Sequence, residues 1–595
     1  MLLPRSACAQ LAAFQATFQV PAQCQGTQIL RCDGQVSDKS LKFLRAGRKG
    51  PLPDHHVVEE RRAGKKPFAI GKTSLDTLPA VLLAGTPQSG IETQYNQLFD
   101  DHNATVVVTD AECVTLPSDV AMASGSFIMP SLGQFGMGPQ SMEGALDAFG
   151  KLSRFTVDKG RVCFAAQMMR TGFWNKSVEL GSIAPGLLFY DTTPPRKNKG
   201  MTNLNAPNDN SYVNTMTVGK RFFGVTDSKN VIEFDPTSLE VLGDVHFEDN
   251  LDRLTVALGS AHPLPEPNST RGCVLDVRPE SVAMLVHEVV VYRVCDDAPT
   301  TRVKVATLHT GSQLPYFHSF GVAPRHAVLP LQHITFSMTK LMTGGSVGAA
   351  FEDYHVGQPT EIVLLPIDGT AEEVRFSLPG DVYFVHAINA FENATSVVFD
   401  ATAYTSNNFA NTRLTAWRDP ILRDTTIAKG IATRFAMHVR GPRKGQVDIT
   451  PLSHANRSTD FPKINWAYHT SPYCLFWAVE WFHDDTHMSR MAIVRQDVCN
   501  GTRRYWYREG SFPSEPTFVP RTPIAAGGPH AAEDDGNLMF TVLDGARGTS
   551  SLLFVDARTM ETVAEAEAPK AGTIGYTTHG QWYEGVALGK ASGRL

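Results

Sequence analysis

The sequence predicts an all-β fold, most simply a β-propeller, and three observations indicate it. Short apolar strands alternate with polar turns, two distant hairpins resemble each other, and no linker rich in Pro, Gly or Ser divides residues 100 to 590. The chain has 595 residues, of which 42% are hydrophobic and 19% charged, so it can bury a large core. Length leaves the number of domains open, because one propeller can occupy as much chain as several ordinary domains.

The predicted hairpins have Asp, Asn or Gly in most of their turns. They cover residues 152–164, 231–247, 289–308, 362–378, 491–507 and 552–564. Segment 233–241 (EFDPTSLEV) resembles segment 554–562 (FVDARTMET), and repetition of this kind is typical of propeller blades, which leave few exposed edge strands. Two or three β-sandwich domains remain the alternative, because their strands have the same periodicity.

Residues 1–66 are predicted to be an irregular tail, and residues 67–590 a single propeller domain. The first 32 residues contain no Asp or Glu, which faintly resembles an organellar targeting segment. Pro4, Arg5 and Gln10 interrupt the apolar run that a secretory signal would need. We therefore expect a location in the cytoplasm or a plastid, peripheral to membranes, and not secretion.

Charge and cysteine content narrow the class of protein further. The formal net charge of −6 lacks the basic excess of a nucleic-acid binder, so no nucleic acid partner is expected. Nine scattered cysteines without a C-x-x-C pair are expected to be reduced, structural thiols. Sequons for N-glycosylation are given little weight, since a long chain collects them by chance; they begin at Asn103, Asn175, Asn268, Asn393, Asn456 and Asn500.

Four of the nineteen histidines stand out because each lies beside an apolar segment with a small residue or turn former nearby. They are His262, His318, His386 and His579. Their spacings of 56, 68 and 193 residues match no local metal motif, so only a fold that gathers distant strands on one axis could unite them. A propeller does so.

Seven short motifs around these histidines occur in the order in which the carotenoid cleavage oxygenase family presents its signatures. They are GSAHP (259–263), FHSF (317–320), HAINAFE (386–392), FPKIN (461–465), SEPTFV (514–519), EDDG (533–536) and HG (579–580). The chain resembles this family from about residue 104 to 586. The family also includes stilbene-cleaving dioxygenases and the retinoid isomerohydrolase of the eye.

The resemblance implies a seven-bladed β-propeller with a mononuclear iron on its axis and a cap of loops and helices over one face. The Fe(2+) cofactor would be bound by His262, His318, His386 and His579, which would be both the metal ligands and the catalytic residues. Neutral imidazoles suit Fe(II), and four of them leave positions for O2.

The family also supplies three glutamates that hold the second nitrogen of the ligand rings. Glu515 matches this pattern, but Asp227 and Asp460 stand at the other two positions. Aspartate is one methylene shorter, so it would reach the ring only if the backbone moves inward or a water bridges. The alternative is that both aspartates are simply turn residues.

The function that the resemblance implies is a dioxygenase that cleaves a carbon–carbon double bond of a carotenoid or apocarotenoid with O2, giving two carbonyl products. The partners would be a hydrophobic polyene, O2 and a membrane surface. Residues 183–190 are the candidate membrane-contacting patch, with an ordinary buried strand as the alternative. Aromatic residues near the motifs are candidates for a substrate tunnel, with propeller core as the alternative: Tyr316, Phe320, Phe391, Trp466 and Trp582.

Three further functions stay open, and three other possible sites need an interpretation. The iron could serve stilbenoid cleavage or retinyl ester isomerohydrolysis, or the propeller could bind a carotenoid without catalysis. His483 and His487 have the spacing of a helical zinc site but lack its Glu, so a solvated loop is expected. Glu533–Asp535 is expected to be a turn, and Gly344–Gly348 a flexible loop.

Overall fold

In the computed structural model β-strands are the main regular element, and the strand pairs of the described residues are antiparallel. The structure describes residues 60–61, 90–117, 120, 122–196, 206–249, 258–283, 286–343, 346–353, 357–369, 372–521 and 532–586. Almost all of the predicted tail, residues 1–66, therefore lies outside the described residues, as do Gly344 and Gly345 of the predicted flexible loop.

The strands in the first half of the chain are β1 (Glu60–Arg61), β2 (Val106–Val107), β3 (Val114–Thr115), β4 (Gly125–Gln134), β5 (Gly136–Met137), β6 (Gln140–Met142), β7 (Phe149–Asp158), β8 (Arg161–Met168), β9 (Thr192–Thr193), β10 (Asn214–Val218), β11 (Arg221–Val225), β12 (Ile232–Phe234), β13 (Val241–Asp244), β14 (Leu264–Pro265), β15 (Val274–Ala283), β16 (Val286–Cys295) and β17 (Ala298–Gly311). Those in the second half are β18 (Gly321–Val322), β19 (His326–Leu331), β20 (Ile334–Phe336), β21 (Phe351–Asp353), β22 (Glu361–Pro366), β23 (Val374–Ser377), β24 (Tyr383–Glu392), β25 (Ser396–Tyr404), β26 (Ile431–His438), β27 (Val447–Pro451), β28 (Ser458–Lys463), β29 (Leu475–Trp481), β30 (Ala492–Asp497), β31 (Thr502–Tyr507), β32 (Ser511–Pro513), β33 (Thr517–Pro520), β34 (Gly536–Asp544), β35 (Thr549–Asp556), β36 (Thr562–Glu567) and β37 (Gln581–Glu584).

Within the described residues, seven sheets have four or more strands. In chain order they are sheet 1 (β2, β3, β4, β7, β8 and β37), sheet 2 (β10–β13), sheet 3 (β14–β17), sheet 4 (β18, β19, β22 and β23), sheet 5 (β24–β27), sheet 6 (β1 and β28–β31) and sheet 7 (β32–β36). Two small sheets, β20–β21 and β5–β6–β9, lie beside them. The all-β prediction is confirmed.

Apolar side chains join neighbouring sheets face to face. Sheets 3 and 4 share one cluster, sheets 4 and 5 a second, and sheets 5 and 6 a third. Trp477 of sheet 6 stacks on Phe518 of sheet 7 with ring centroids 5.0 Å apart. Strand β37, from the end of the described chain, pairs with β4 in sheet 1, and Tyr583 contacts Phe222 of sheet 2 at 5.0 Å. The two ends of the sheet region are therefore joined by hydrogen bonds.

All six predicted hairpins are present as paired strands. The two segments with similar sequences also share a turn: Leu239 and Met560 both adopt a positive φ, and Asp235 and Asp556 each accept hydrogen bonds from the two backbone amides at positions two and three residues later. Their sequence similarity thus reflects one repeated Asp-capped turn.

The helices are short, and several lie beside the central cavity described below. They are α1 (Gly90–Asn96), α2 (Gly172–Leu180), α3 (Met338–Met342), α4 (Val347–Ala350), α5 (Leu414–Arg418) and α6 (Pro420–Thr426), with 3-10 turns at Gln97–Phe99, Asp110–Glu112, Asn408–Asn411, Trp466–Tyr468 and Lys570–Gly572. Among the described residues, no helix combines the length and apolar character needed to cross a bilayer.

Residues 183–190 do not form the exposed membrane-contacting patch that was one of the two readings of this segment. Ile183, Ala184 and Leu188 are buried, and the segment forms neither a helix nor the strand that was its alternative reading. Its apolar side chains turn inward, where Leu187, Leu188 and Phe189 line a cavity.

The expectation of reduced thiols was wrong for the cysteines that the structure describes. All six cysteines in the described residues form disulfides: Cys113–Cys163, Cys273–Cys295 and Cys474–Cys499. Each joins chain segments at the ends of neighbouring antiparallel strands, in sheets 1, 3 and 6. The C-x-x-C criterion missed them because cross-strand disulfides link residues that are distant in sequence.

Breaking one of these bridges is expected to destabilise the fold. Cys474 and Cys499 are 25 residues apart, and the chain-entropy model assigns a loop of this length about 3.5 kcal/mol. Cys474→Ser should therefore lower the free energy of unfolding in urea by about 3.5 kcal/mol. The double variant with Cys499→Ser should lose no more than the single one. Alkylation of both thiols in unfolded, unreduced protein would contradict the pairing.

Candidate metal centre

Four histidines lie together, each supplied by a different sheet. His262 and His579 lie two residues before β14 and β37, His318 lies three residues before β18, and His386 lies within β24. These strands are the end strands of sheets 3, 1, 4 and 5. The edges of four sheets therefore converge on one point, and this explains why the sequence spacings follow no local motif.

The rings point their Nε2 atoms at one another. Nε2 of His318 lies 3.1 Å from that of His262 and 3.0 Å from that of His386, and the His386–His579 distance is 3.1 Å. The four candidate ligand atoms all lie within 4.8 Å of one another. A metal with bonds of roughly 2.1 Å to imidazole nitrogens at right angles would separate neighbouring nitrogens by about 3.0 Å. The observed spacing fits such an ion.

Three carboxylates hold the opposite nitrogen of three rings. Asp227 Oδ2 lies 2.8 Å from Nδ1 of His318, Asp460 Oδ1 lies 2.7 Å from Nδ1 of His386, and Glu515 Oε1 lies 2.9 Å from Nδ1 of His579. Each carboxylate accepts a hydrogen bond from the Nδ1–H of its ring, which leaves Nε2 with its lone pair facing the centre. No carboxylate among the described residues bonds Nδ1 of His262.

Both aspartates reach their rings directly, despite being shorter than glutamate. At Asp460 the strand is bulged: the β28–β29 register shifts between Asp460 and Lys463, and Phe461 adopts φ of 53°. The backbone amide of Phe461 then donates to Asp460 Oδ1 at 2.8 Å. Asp460 therefore bonds the ring of His386 directly from a bulged strand, without a bridging water.

Each carboxylate has a second partner. The Tyr316 hydroxyl donates to Asp227 Oδ2 at 2.6 Å, the Tyr404 hydroxyl donates to Asp460 Oδ2, and Lys463 Nζ lies 3.2 Å from Glu515 Oε2. Polar partners of this kind stabilise a buried carboxylate. At Glu515 burial outweighs them and raises the pKa to about 8, although Lys463 opposes the shift. The two tyrosines serve the two aspartates, and the lysine serves the glutamate.

Protonation states favour ligation. Burial, followed by the neighbouring histidines, holds the pKa of His262 and of His579 well below the usual value. Burial also lowers the pKa of His386, although Asp460 opposes it. Burial would raise the pKa of Asp460, but His386 and Tyr404 hold it below its usual value. The site therefore combines neutral imidazoles with an ionised carboxylate, as metal binding requires.

A cavity of about 250 Å³ opens on one side of the histidines. His318, His386 and His579 form part of its wall, together with Asp227 and Asp460. The rest of the wall is largely apolar and includes Phe173, Leu187, Leu188, Phe189, Leu258, Phe336, Val347, Phe351, Val385, Phe409, Trp417, Ile427, Phe461, Trp481, Phe482 and Met488. An apolar ligand could thus approach the histidines from this side.

The five aromatic residues expected in a tunnel take other positions, as far as the described residues define the cavity wall. Tyr316 lies behind Phe351 and Phe409, where its hydroxyl reaches Asp227. Phe320 and Trp466 border a smaller cavity of about 60 Å³ beside His262 and Lys463. Phe391 and Trp582 pack in the core between sheets. Two of the five side chains thus border a cavity next to His262, and the other three pack in the core.

The rival sites have structural explanations. His483 is buried and bonds Glu480. Asp485, Thr486 and His487 are exposed in a loop, as expected, and His487 bonds Asp484. The Glu533 carboxylate accepts from the backbone amides of Cys474 and Leu475. Within the described residues, the four histidines are the group placed to hold a metal ion.

Sequence reasoning missed Tyr404, Lys463 and the segment 405–428. Lys463 stood inside a quoted motif, FPKIN, without an assigned role. Segment 405–428 contains α5 and α6 and supplies Phe409, Trp417 and Ile427 to the cavity wall. Its irregular pattern reflects a capping segment whose apolar residues face a cavity and not a strand partner.

Close packing against β4 explains why glycine follows His579. A Cβ on Gly580 would lie 2.4 Å from Met129 Cε and 2.7 Å from the ring of Phe127. Only glycine lets the backbone carrying His579 lie against β4 at this distance.

Comparison with known proteins agrees with this geometry. The family model described as RPE65, retinal pigment epithelial membrane protein, matches residues 102–584. The carotenoid-cleaving dioxygenase, mitochondrial, of Mustela putorius furo is 24% identical over 526 residues, covering 76% of this chain and 90% of that protein. The apocarotenoid-15,15'-oxygenase of Synechocystis is 23% identical over 482 residues, covering 79% and 91%.

Solved structures show the same fold. The cobalt-substituted Synechocystis apocarotenoid oxygenase superposes with a TM-score of 0.68 at 20% identity, covering 83% of this chain and 99% of that one. A chimera of that oxygenase with RPE65 gives 0.69 at the same identity and coverage. The family model spans most of the chain, and the chain accordingly belongs to the RPE65 and carotenoid cleavage oxygenase family.

Proposed function

We propose that this protein is an Fe(II)-dependent dioxygenase that cleaves a carbon–carbon double bond of a carotenoid or apocarotenoid. The observation that carries the proposal is a four-histidine group with inward-facing lone pairs at the wall of an apolar cavity. Family membership supports an oxygenase. In the overall reaction both atoms of O2 are added across one double bond, and two carbonyl products result.

The proposal includes a seven-bladed β-propeller. It rests on the seven sheets of four or more strands, on their successive packing and on the pairing of β37 with β4. Each sheet supplies one residue of the site: His579, Asp227, His262, His318, His386, Asp460 and Glu515 come from sheets 1 to 7 in that order. A radial arrangement gathers one residue per blade on its axis.

The residues of the site would hold the metal, orient the ligand rings and enclose the substrate. Four neutral imidazoles would bind Fe(II), and the bound ion would activate O2. The three carboxylates fix the aim of three rings. The apolar wall excludes water and positions one double bond of the polyene beside the histidines, so the shape of the cavity selects the bond.

Three alternative functions would use parts of the same site. Stilbenoid cleavage or retinoid isomerohydrolysis would use the same four histidines, and a carotenoid-binding protein without catalysis would use the cavity alone. The presence of all four histidines with carboxylates on three of them favours a working metal centre over a decayed one.

Metal content and turnover test the proposal. The purified protein should bind about one iron ion per chain. His318→Ala should abolish iron binding because one of the four ligands is lost. After anaerobic Fe(II) loading, admission of O2 should give aldehydes from β-carotene or an apocarotenal, detected by chromatography, with the label of 18O2 in both products.

The matched control is His309→Ala, since the side chain of His309 is 79% exposed and lies outside the site. It should keep both iron and activity. Products from resveratrol but not from carotenoids would replace the proposed substrate class. Absence of iron at excess Fe(II), together with retention of an added carotenoid, would favour the binding protein.

Loss of one carboxylate should weaken iron binding without abolishing it. Asp460→Asn keeps the size of the side chain but removes the charge that holds Nδ1 of His386. We expect the dissociation constant for Fe(II), measured by competition with a chelator, to rise about 10- to 100-fold. Asp448→Asn, at an exposed aspartate paired with Arg443, is the control and should leave it unchanged.

The tyrosine hydroxyls should matter less, but measurably. Tyr404→Phe removes the hydrogen bond to Asp460, and a loss of about 1 kcal/mol would raise the dissociation constant for Fe(II) roughly fivefold. Tyr473→Phe is the control, because Tyr473 donates to another buried aspartate, Asp400, away from the histidines. Equal effects of the two variants on iron binding would argue against a positioning role for Tyr404.

A further inference from the structure

Two features of the chain are unrelated to the metal centre. The first is that every cysteine in the described residues is paired, in three bridges that close intervals of 50, 22 and 25 residues. Disulfides persist in oxidising compartments and are rare where glutathione keeps thiols reduced. Six unselected cysteines distributed over three sheets would not be expected to meet in pairs.

The second feature is the position of the six sequons. The asparagine of every one is exposed: Asn103, Asn175, Asn268, Asn393, Asn456 and Asn500. Asn175 lies on α2, and the other five lie in turns or loops. Those at Asn393 and Asn500 occupy the tips of the β24–β25 and β30–β31 hairpins. The sequence of an N-glycosylation site is useful only at such surface positions.

Three of these asparagines also present an unengaged amide nitrogen. Within the described residues, Nδ2 of Asn268, Asn393 and Asn456 donates no hydrogen bond. Oδ1 of Asn393 accepts from the backbone amides of Thr395 and Ser396 at 3.0 and 2.8 Å, so its side chain is held by the oxygen alone. By contrast, Nδ2 of Asn500 donates to Asp497 at 3.0 Å.

We propose that this chain matures in an oxidising compartment of the secretory route and carries N-linked oligosaccharides at exposed sequons, first among them Asn268, Asn393 and Asn456. Exposed asparagines are common, and exposure alone would carry little. The pairing of the described cysteines is independent of it and requires the same compartment. The proposal departs from the sequence expectation of a cytoplasmic or plastid location, and it stands whether or not the site cleaves carotenoids.

Both modifications have defined chemistry. In each bridge two thiols lose two protons and two electrons to the disulfide of a thiol oxidoreductase, which becomes the dithiol. At each sequon the Asn Nδ2 forms a bond to the anomeric carbon of an oligosaccharide donor. The bond from that carbon to the lipid pyrophosphate of the donor breaks, and the amide gives up one proton.

Peptide mapping of the full chain, purified from the cells that produce it, tests the proposal. Digestion with peptide N-glycosidases F and A in 18O water should convert Asn268, Asn393 and Asn456 to 18O-labelled aspartate. The six described cysteines should resist alkylation until a reductant is added. Unmodified asparagine in all six sequon peptides would overturn the proposal, as would free thiols at the six cysteines.

A matched pair of variants tests one site. Thr395→Ala destroys the sequon at Asn393, whereas Thr395→Ser preserves it, and Thr395 is exposed. Expressed as tagged full chains in the same cells, the Ala variant should lose one glycan by mass and the Ser variant should keep it. Identical glycan masses at residue 393 in the two variants would contradict modification by recognition of this sequon.

Discussion

The structure depends on holding four imidazoles, three of them buried, with their Nε2 atoms facing one another, and three of the Nε2–Nε2 distances are 3.0–3.1 Å. Facing lone pairs repel, so this arrangement is stable in a protein only with a cation among them or with strong external constraints. The carboxylates on His318, His386 and His579 provide such constraints. They in turn must be compensated, because a buried carboxylate without partners would take up a proton.

This requirement propagates outward through the fold. Tyr316 and Tyr404 donate to the aspartates, and Lys463 faces the glutamate. Tyr316 packs against Phe351 and Phe409, which form the cavity wall. The polar layer that orients the rings and the apolar layer that would receive a substrate are therefore in direct contact, and a change in one is transmitted to the other.

The parts of this arrangement that depend on local sequence pattern could be predicted from the sequence. Six hairpins could be predicted because period-two apolar runs with Asp or Gly turns have few other solutions. The four histidines and the carboxylates came from the motif resemblance, since their spacing depends on how sheet edges converge. The aromatic cavity residues could not be predicted: Phe391 and Phe409 both belong to apolar segments, and only the tertiary arrangement places one in the core and the other at the cavity. The disulfides could not be predicted for the same reason, because Cys474 and Cys499 meet through strand pairing.

The segment around Asp460 links the orientation of a ligand ring to the wall of the cavity. Asp460 reaches His386 from a bulge in β28. The bulge leaves Phe461 in a left-handed conformation that a phenylalanine rarely adopts, and its ring then contacts both His386 and His579, at 4.8 and 5.1 Å. Phe461 also lines the cavity. Because the hydrogen bond to His386 and this contact arise from the same backbone feature, a change in the bulge would alter both the orientation of the ring and the cavity wall.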